Sequence, residues 1–113
     1  MPRAAKQAGS VEIDPPFAPV VTAFAGDERV QLGRIFVSSG LQTNGKFFAF
    51  ARNGRMVVKL PRERVRELIA SGAGEPFDRG QGKPLPEWAV IPPGGADWIA
   101  IAQEARRFVG GDE

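Results

Sequence analysis

The sequence predicts a two-layer α+β domain, an antiparallel sheet with helices packed on one face. Three observations carry this. Asn44-Gly45 and Asn53-Gly54 separate short runs rich in aromatic and β-branched residues. Asn-Gly is a strong hairpin signal, because a type I′ turn needs positive φ at both central residues. Apolar residues recur at helical spacing near both ends of the chain, and the strand-like runs sit together instead of alternating with helices. The 113 residues suit one core, which we place at 14–110 between a flexible leader (1–13) and a short tail (111–113).

Each element has its own justification. Asp14-Pro15-Pro16 is a helix start, since Asp can cap and Pro is tolerated in a first turn. Phe17, Val20, Val21 and Phe24 then follow at helical spacing, which predicts a helix over 16–25 ended by Gly26. Strands are expected at 34–43, 46–52 and 55–60, joined by the Asn-Gly turns into a meander. Pro61 opens an amphipathic helix with Val65, Leu68 and Ile69 as its apolar stripe, Arg62, Arg64 and Arg66 mostly elsewhere, and Gly72 as its stop. The segment 72–86, rich in Gly and Pro, is expected to be irregular and anchored by Phe77. A strand at 87–91 and a helix at 96–109 complete the order α-βββ-α-β-α. In the last helix Trp98, Ile101, Ala102, Ala105 and Val109 share one face.

Two-residue turns set a register, and strict alternation then sorts the meander into two faces. Phe47, Ala49, Ala51, Met56, Val58 and Leu60, with Gln42 at the edge, form an uncharged face assigned to the helices. Leu41, Phe48, Phe50 and Val57 lie on the reverse, flanked by Lys46, Arg52, Arg55 and Lys59. That reverse face is the candidate partner-binding surface: Lys46, Phe48, Phe50, Arg52, Arg55, Val57 and Lys59. Three readings of it stay open: the helices cover it, two copies pack through it as a homodimer, or it binds a partner. Single-stranded nucleic acid is one such partner, since aromatics stack bases while basic groups follow phosphates.

Charge is unevenly placed. Residues 29–66 hold nine basic residues against one acidic, while 67–113 hold four against eight. A dipolar surface follows, with the basic part suited to phosphate, nucleic acid or an acidic protein. The sequence has no Cys, His or Tyr. That removes disulfides, thiolate metal sites and the usual Ser-His-Asp and Cys-His nucleophile systems from this chain. No cofactor and no metal are expected, and no enzymatic activity. Apolar runs fall far short of the ~18–20 residues that span a bilayer. Arg3 and Lys6 are not followed by a signal-peptide apolar region, so a cytoplasmic location is expected.

Three motifs bear on chemistry. Gly80-Gln81-Gly82-Lys83 lacks the earlier Gly and the following hydroxyl residue of a phosphate loop, those positions being Phe77 and Pro84. Glu75, Asp78 and Glu87 are close in sequence, but solvated loop acids are expected there and not an acid–base pair. Trp88 and Trp98 are expected to pack in the core.

From Arg34 to Val109 the chain resembles the N-terminal domain of the TfoX/Sxy family, bacterial proteins linked to competence regulation. The matching pieces run in order: Gly40-Leu41, Gly45-Lys46, Phe48-Ala49, Lys59-Leu60-Pro61, Arg64-Val65, Leu68 and Phe77. Gly80-x-Gly82-Lys83-Pro84, Glu87-Trp88, Trp98, Glu104-Ala105 and Phe108-Val109 follow. The resemblance implies an α+β fold like that of type III secretion chaperones. It also implies structural roles for Gly45, Leu60, Pro61, Phe77, Gly80, Gly82, Trp88 and Trp98, and a stand-alone regulator acting through protein contacts. Ile35-Phe36-Val37 and Leu85-Pro86 depart from the family's usual residues, and its helical C-terminal domain has no counterpart here.

Overall fold

The computed structural model describes residues 13, 15–35, 38–78, 82–94 and 96–111. The leader 1–12, the expected cap Asp14, Phe36-Val37, Gly80-Gln81 and the last two residues lie outside the described residues. A 3₁₀ turn (Pro15–Phe17) runs into α1 (Ala18–Ala23). Strands β1 (Gln31–Ile35), β2 (Ser38–Thr43), β3 (Lys46–Arg52) and β4 (Arg55–Lys59) follow. Then come α2 (Arg62–Ala70), β5 (Glu75–Asp78), β6 (Pro84–Ile91) and α3 (Trp98–Gly110). The domain is α+β: six described strands form one sheet in the order β1-β2-β3-β4-β6-β5, every neighbouring pair antiparallel. The three helices pack on one of its faces.

Both Asn-Gly corners form as the sequence predicts. Asn44 and Gly45 have φ of 56° and 75°, Asn53 and Gly54 of 52° and 78°. Arg52 is opposite Arg55, and Thr43 is opposite Lys46. Helix boundaries also follow local chemistry. Gly72 (φ 83°) ends α2 while the Ala73 N–H donates back to the Leu68 carbonyl at 2.9 Å. The Asp97 side chain caps α3, accepting from the Ile99 and Ala100 N–H groups at 3.1 and 3.2 Å, and Gly111 closes it in a left-handed conformation.

Two elements differ from expectation. The span 34–43 is not one strand but parts of two, β1 and β2, paired from Gln31↔Gln42 to Ile35↔Ser38. The segment 72–86 contains β5 and the start of β6. Its prolines are tolerated because β5 is an edge strand and the β5–β6 pairing is irregular.

The main correction concerns the faces. Gln42 pairs with Phe47, but Leu41 pairs with Ala49, so Phe48 is an extra residue in β3. Such a bulge shifts alternation by one position. On the turn side of it every assignment is reversed. Leu41 and Phe48 are buried under the helices, and the Phe48 ring meets Phe24 edge-on at 5.4 Å. Lys46, opposite buried Thr43, lies on that same side. Phe47 and Gln42 lie on the reverse, where the Phe47 ring rests over Gly33 and Gly40. A Cβ on Gly40 would meet that ring at 2.9 Å, so the bare backbone is what lets the ring sit there. The bulge exchanges the two phenylalanines: Phe48 is enclosed on the helix side, while Phe47, which strict alternation would put there, lies half-buried on the reverse. Beyond the bulge the expected faces hold: Ala49, Ala51, Met56, Val58 and Leu60 line the helix-side core.

Candidate functional site

The reverse face of the sheet is not a wet phenylalanine strip. Phe50 is 2% and Val57 0% exposed, and with Phe77 they form a second, smaller core. Phe77 stands on β5, three strands from β3. At about 4.8 Å per strand a flat sheet would hold it too far from Phe50 for ring contact. Yet the two rings meet at 5.9 Å, and Trp88 lies 5.7 Å from Phe50. The β5–β6 pairing explains this. Between Pro76↔Ala89 and Asp78↔Pro84 there is one residue on β5, Phe77, and four on β6, Leu85 to Trp88. A bulge this uneven bends the ribbon and turns Phe77 back over the sheet.

This geometry disposes of most of the candidate surface. Phe48, Phe50 and Val57 are buried and cannot meet a partner. The Arg52 guanidinium sits 5.6 Å from the Phe77 ring centre and the Lys59 ammonium 5.7 Å from that of Trp88. Lys59 also lies 4.0 Å from Glu87. These two cations cap the second core, which is a local structural use of their charge. Arg55 is exposed on the reverse face, and Lys46 is exposed on the helix side, so the seven candidates do not form one surface.

Leu60 is fully buried, Pro61 precedes α2, and Gly45 and Gly82 have positive φ. The Gly82 N–H donates to Asp78 Oδ1 at 3.2 Å. Trp98 packs against the helix-side core, its indole N–H donating to the Pro92 carbonyl at 3.1 Å. Trp88 is half-buried in the second core. Glu75 and Asp78 are exposed on β5, and among the described residues no three acidic side chains gather at one point. No described helix is long and apolar enough to cross a membrane.

The bowed β6 also creates the feature that sequence reasoning missed. Beyond Lys59, β4 stops and Pro61 starts α2, so the first part of β6 runs on beside the helix. Between them lies a groove of about 270 Å³. One wall is a single stripe of α2: Arg62, Val65, Arg66 and Ile69. Pro84, Leu85, Pro86 and Trp88 form the other wall, with Pro76 at one end. Ile69, on the helix wall of the groove, is 37% exposed. Among the described residues neither Arg62 nor Arg66 makes an ion pair. Arg64 does: its Nε and Nη2 donate to the two Glu104 oxygens at 2.8 and 3.1 Å, and Nη1 to Glu67 at 3.1 Å. The hydrogen bonds to Glu104 raise the Arg64 pKa above its ordinary value. Of three arginines on α2, one ties the helix to α3 and two rim the groove. The legible signal was the spacing: Arg62 and Arg66 are four apart, Ile69 is seven from Arg62, and Pro-Leu-Pro stands at 84–86.

The fold and groove define a two-layer α+β domain with a cationic, apolar cleft at one sheet edge. No family model, no curated protein and no solved structure matches the chain.

Proposed function

We propose that this chain is a non-enzymatic binding domain that takes a short segment of a protein partner into the groove between α2 and β6. The observation that carries the reading is the juxtaposition there of half-exposed Ile69, Leu85 and Trp88 with the two arginines that have no described ion pair. Aromatic and arginine side chains around an apolar cleft are the composition of binding hot spots. The ordered likeness to the TfoX/Sxy N-terminal domain points the same way, toward a cytoplasmic regulator working by protein contacts, as in transcriptional control. The absence of Cys and His removes the thiol nucleophile and the imidazole base that an enzyme would most often use.

The test is affinity capture from native cytoplasm with three immobilised forms: the unaltered chain, Ile69→Glu and Arg55→Glu. The reading expects one protein retained by the unaltered chain and by Arg55→Glu, but lost with Ile69→Glu, all three folded by circular dichroism. Retention that survives Ile69→Glu and vanishes with Arg55→Glu moves the site to the reverse face and overturns it. A dimer in light scattering that Ile69→Glu dissolves would make a second copy the occupant, and overturns it also.

A further inference from the structure

The stripe Arg62 to Ile69 covers seven residue steps of α2, about 10.5 Å of helix axis at 1.5 Å per step, so the groove runs along the helix. Arg62 and Arg66 stand one above the other on it, about 6 Å apart along the axis. Like charges at this spacing repel and weaken a helix, and no described acidic side chain relieves them. Of the nearby acids, Glu67 and Glu104 are held by Arg64 and Glu87 lies beside Lys59, while Glu63, three residues before Arg66 on the same helix, is exposed and has no described ion pair. The opposite wall cannot add a full ladder of backbone hydrogen bonds to an incoming strand. Pro84 and Pro86 have no N–H, which leaves Leu85 as the one donor of those three residues. Selection must therefore come from side chains and not from strand addition.

These facts fit one chemistry. In an extended peptide alternate side chains point the same way, spaced about 6.6 Å, close to the separation of the two arginines. Resting on the protein-binding reading above, we infer that the groove selects an extended peptide with the pattern acidic–apolar–acidic. The two carboxylates meet Arg62 and Arg66. The intervening apolar side chain points the other way, against Leu85 and Trp88. The uneven charge of the chain, basic over 29–66, steers such a peptide toward this part of the surface.

Trp88 reports occupancy directly. In a Trp98→Phe background it is the single tryptophan of the chain, and its fluorescence can be titrated with seven-residue peptides centred on Asp-Leu-Glu, Asn-Leu-Gln or Lys-Leu-Lys. The expected result is saturable change with the acidic peptide, about tenfold weaker binding by the amide peptide, and none by the basic one. Raising salt should weaken the acidic peptide alone. Arg62→Glu with Arg66→Glu should reverse the preference in favour of the Lys peptide. Equal binding of acidic and amide peptides would sink the charge pattern while leaving the groove as a protein site. No change with any peptide, together with failure of the capture experiment, removes both. Tighter binding of a single-stranded oligonucleotide than of the acidic peptide, lost on the double charge reversal, would assign the arginines to phosphate and overturn the inference.

Discussion

Replacing Phe48 with alanine separates the bulged β3 from the strict alternation that the Asn-Gly corners predict. Phe48 is fully buried and meets Phe24 on the helix side, whereas half-buried Phe47 lies over Gly33 and Gly40 on the reverse. Truncating an enclosed phenylalanine costs about 3–5 kcal/mol through lost transfer energy and the remaining cavity. For Phe47, partly wet already, about 1–2 kcal/mol is expected. An unfolding entropy of about 2.1 cal/mol/K per residue gives this 113-residue chain about 0.24 kcal/mol/K. Phe48→Ala should then lower Tm by about 17 °C and Phe47→Ala by about 6 °C. Urea titration followed by circular dichroism measures both losses, with an unchanged slope as the check on two-state behaviour. If Phe48→Ala does not fold, Phe48→Leu gives the same ranking at a smaller cost. A Phe47→Ala penalty equal to or above that of Phe48→Ala refutes the bulge and restores unbroken alternation.

Three further outcomes follow from the packing. Gly40→Ala places a Cβ 2.9 Å from Phe47 Cδ1 and 3.0 Å from Phe50 Cβ, so a thermal melt should show a loss of about 1–3 kcal/mol. The Ser39 hydroxyl is buried with no hydrogen-bond partner among the described residues; Ser39→Ala should leave stability unchanged or raise it by up to about 1 kcal/mol. Arg64→Ala should cost about 1 kcal/mol in chemical denaturation, a modest value because both side chains of the Arg64–Glu104 pair are about one-third exposed. A double-mutant cycle with Glu104→Ala should return most of it as coupling. Because folding raises the Arg64 pKa, that stability is complete below the arginine's ordinary value and fades only above it. The penalty should therefore match at about pH 6 and about pH 9.

Much of the fold was legible because its signals are local. Asn44-Gly45 and Asn53-Gly54 demand positive φ, and both take it. The stripe on α3 and the stop at Gly72 are set by spacing and by one residue each. The face assignment failed at Phe48 for a non-local reason. A turn fixes the pairs beside it, but whether an extra residue enters the strand depends on the glycines of β1 and β2 that seat Phe47. Strand β5 was hidden because Pro76 and the glycines around it lower strand propensity, while its pairing with β6 decides the outcome. The candidate surface shrank for the same reason. Phe50 and Val57 were correctly placed together on the reverse face, but their cover, Phe77, arrives from twenty or more residues later in the sequence. The groove was missed because Arg62 and Arg66 look like ordinary solvated helix residues until β6 bows toward them.

The enclosure of Phe50 and Val57 makes the sheet unequal along its width. Around β3, β4 and β6 the backbone is sandwiched between two sets of packed side chains, whereas β2 has the helices on one side and a single ring on the other, and β1 leaves Gln31 and Leu32 exposed. Amide protons should register that asymmetry as a gradient, slowest to trade with heavy water in β4 and fastest toward β1. The margin at β1 is thus the natural point at which this molecule begins to come apart, at the opposite edge from the cleft.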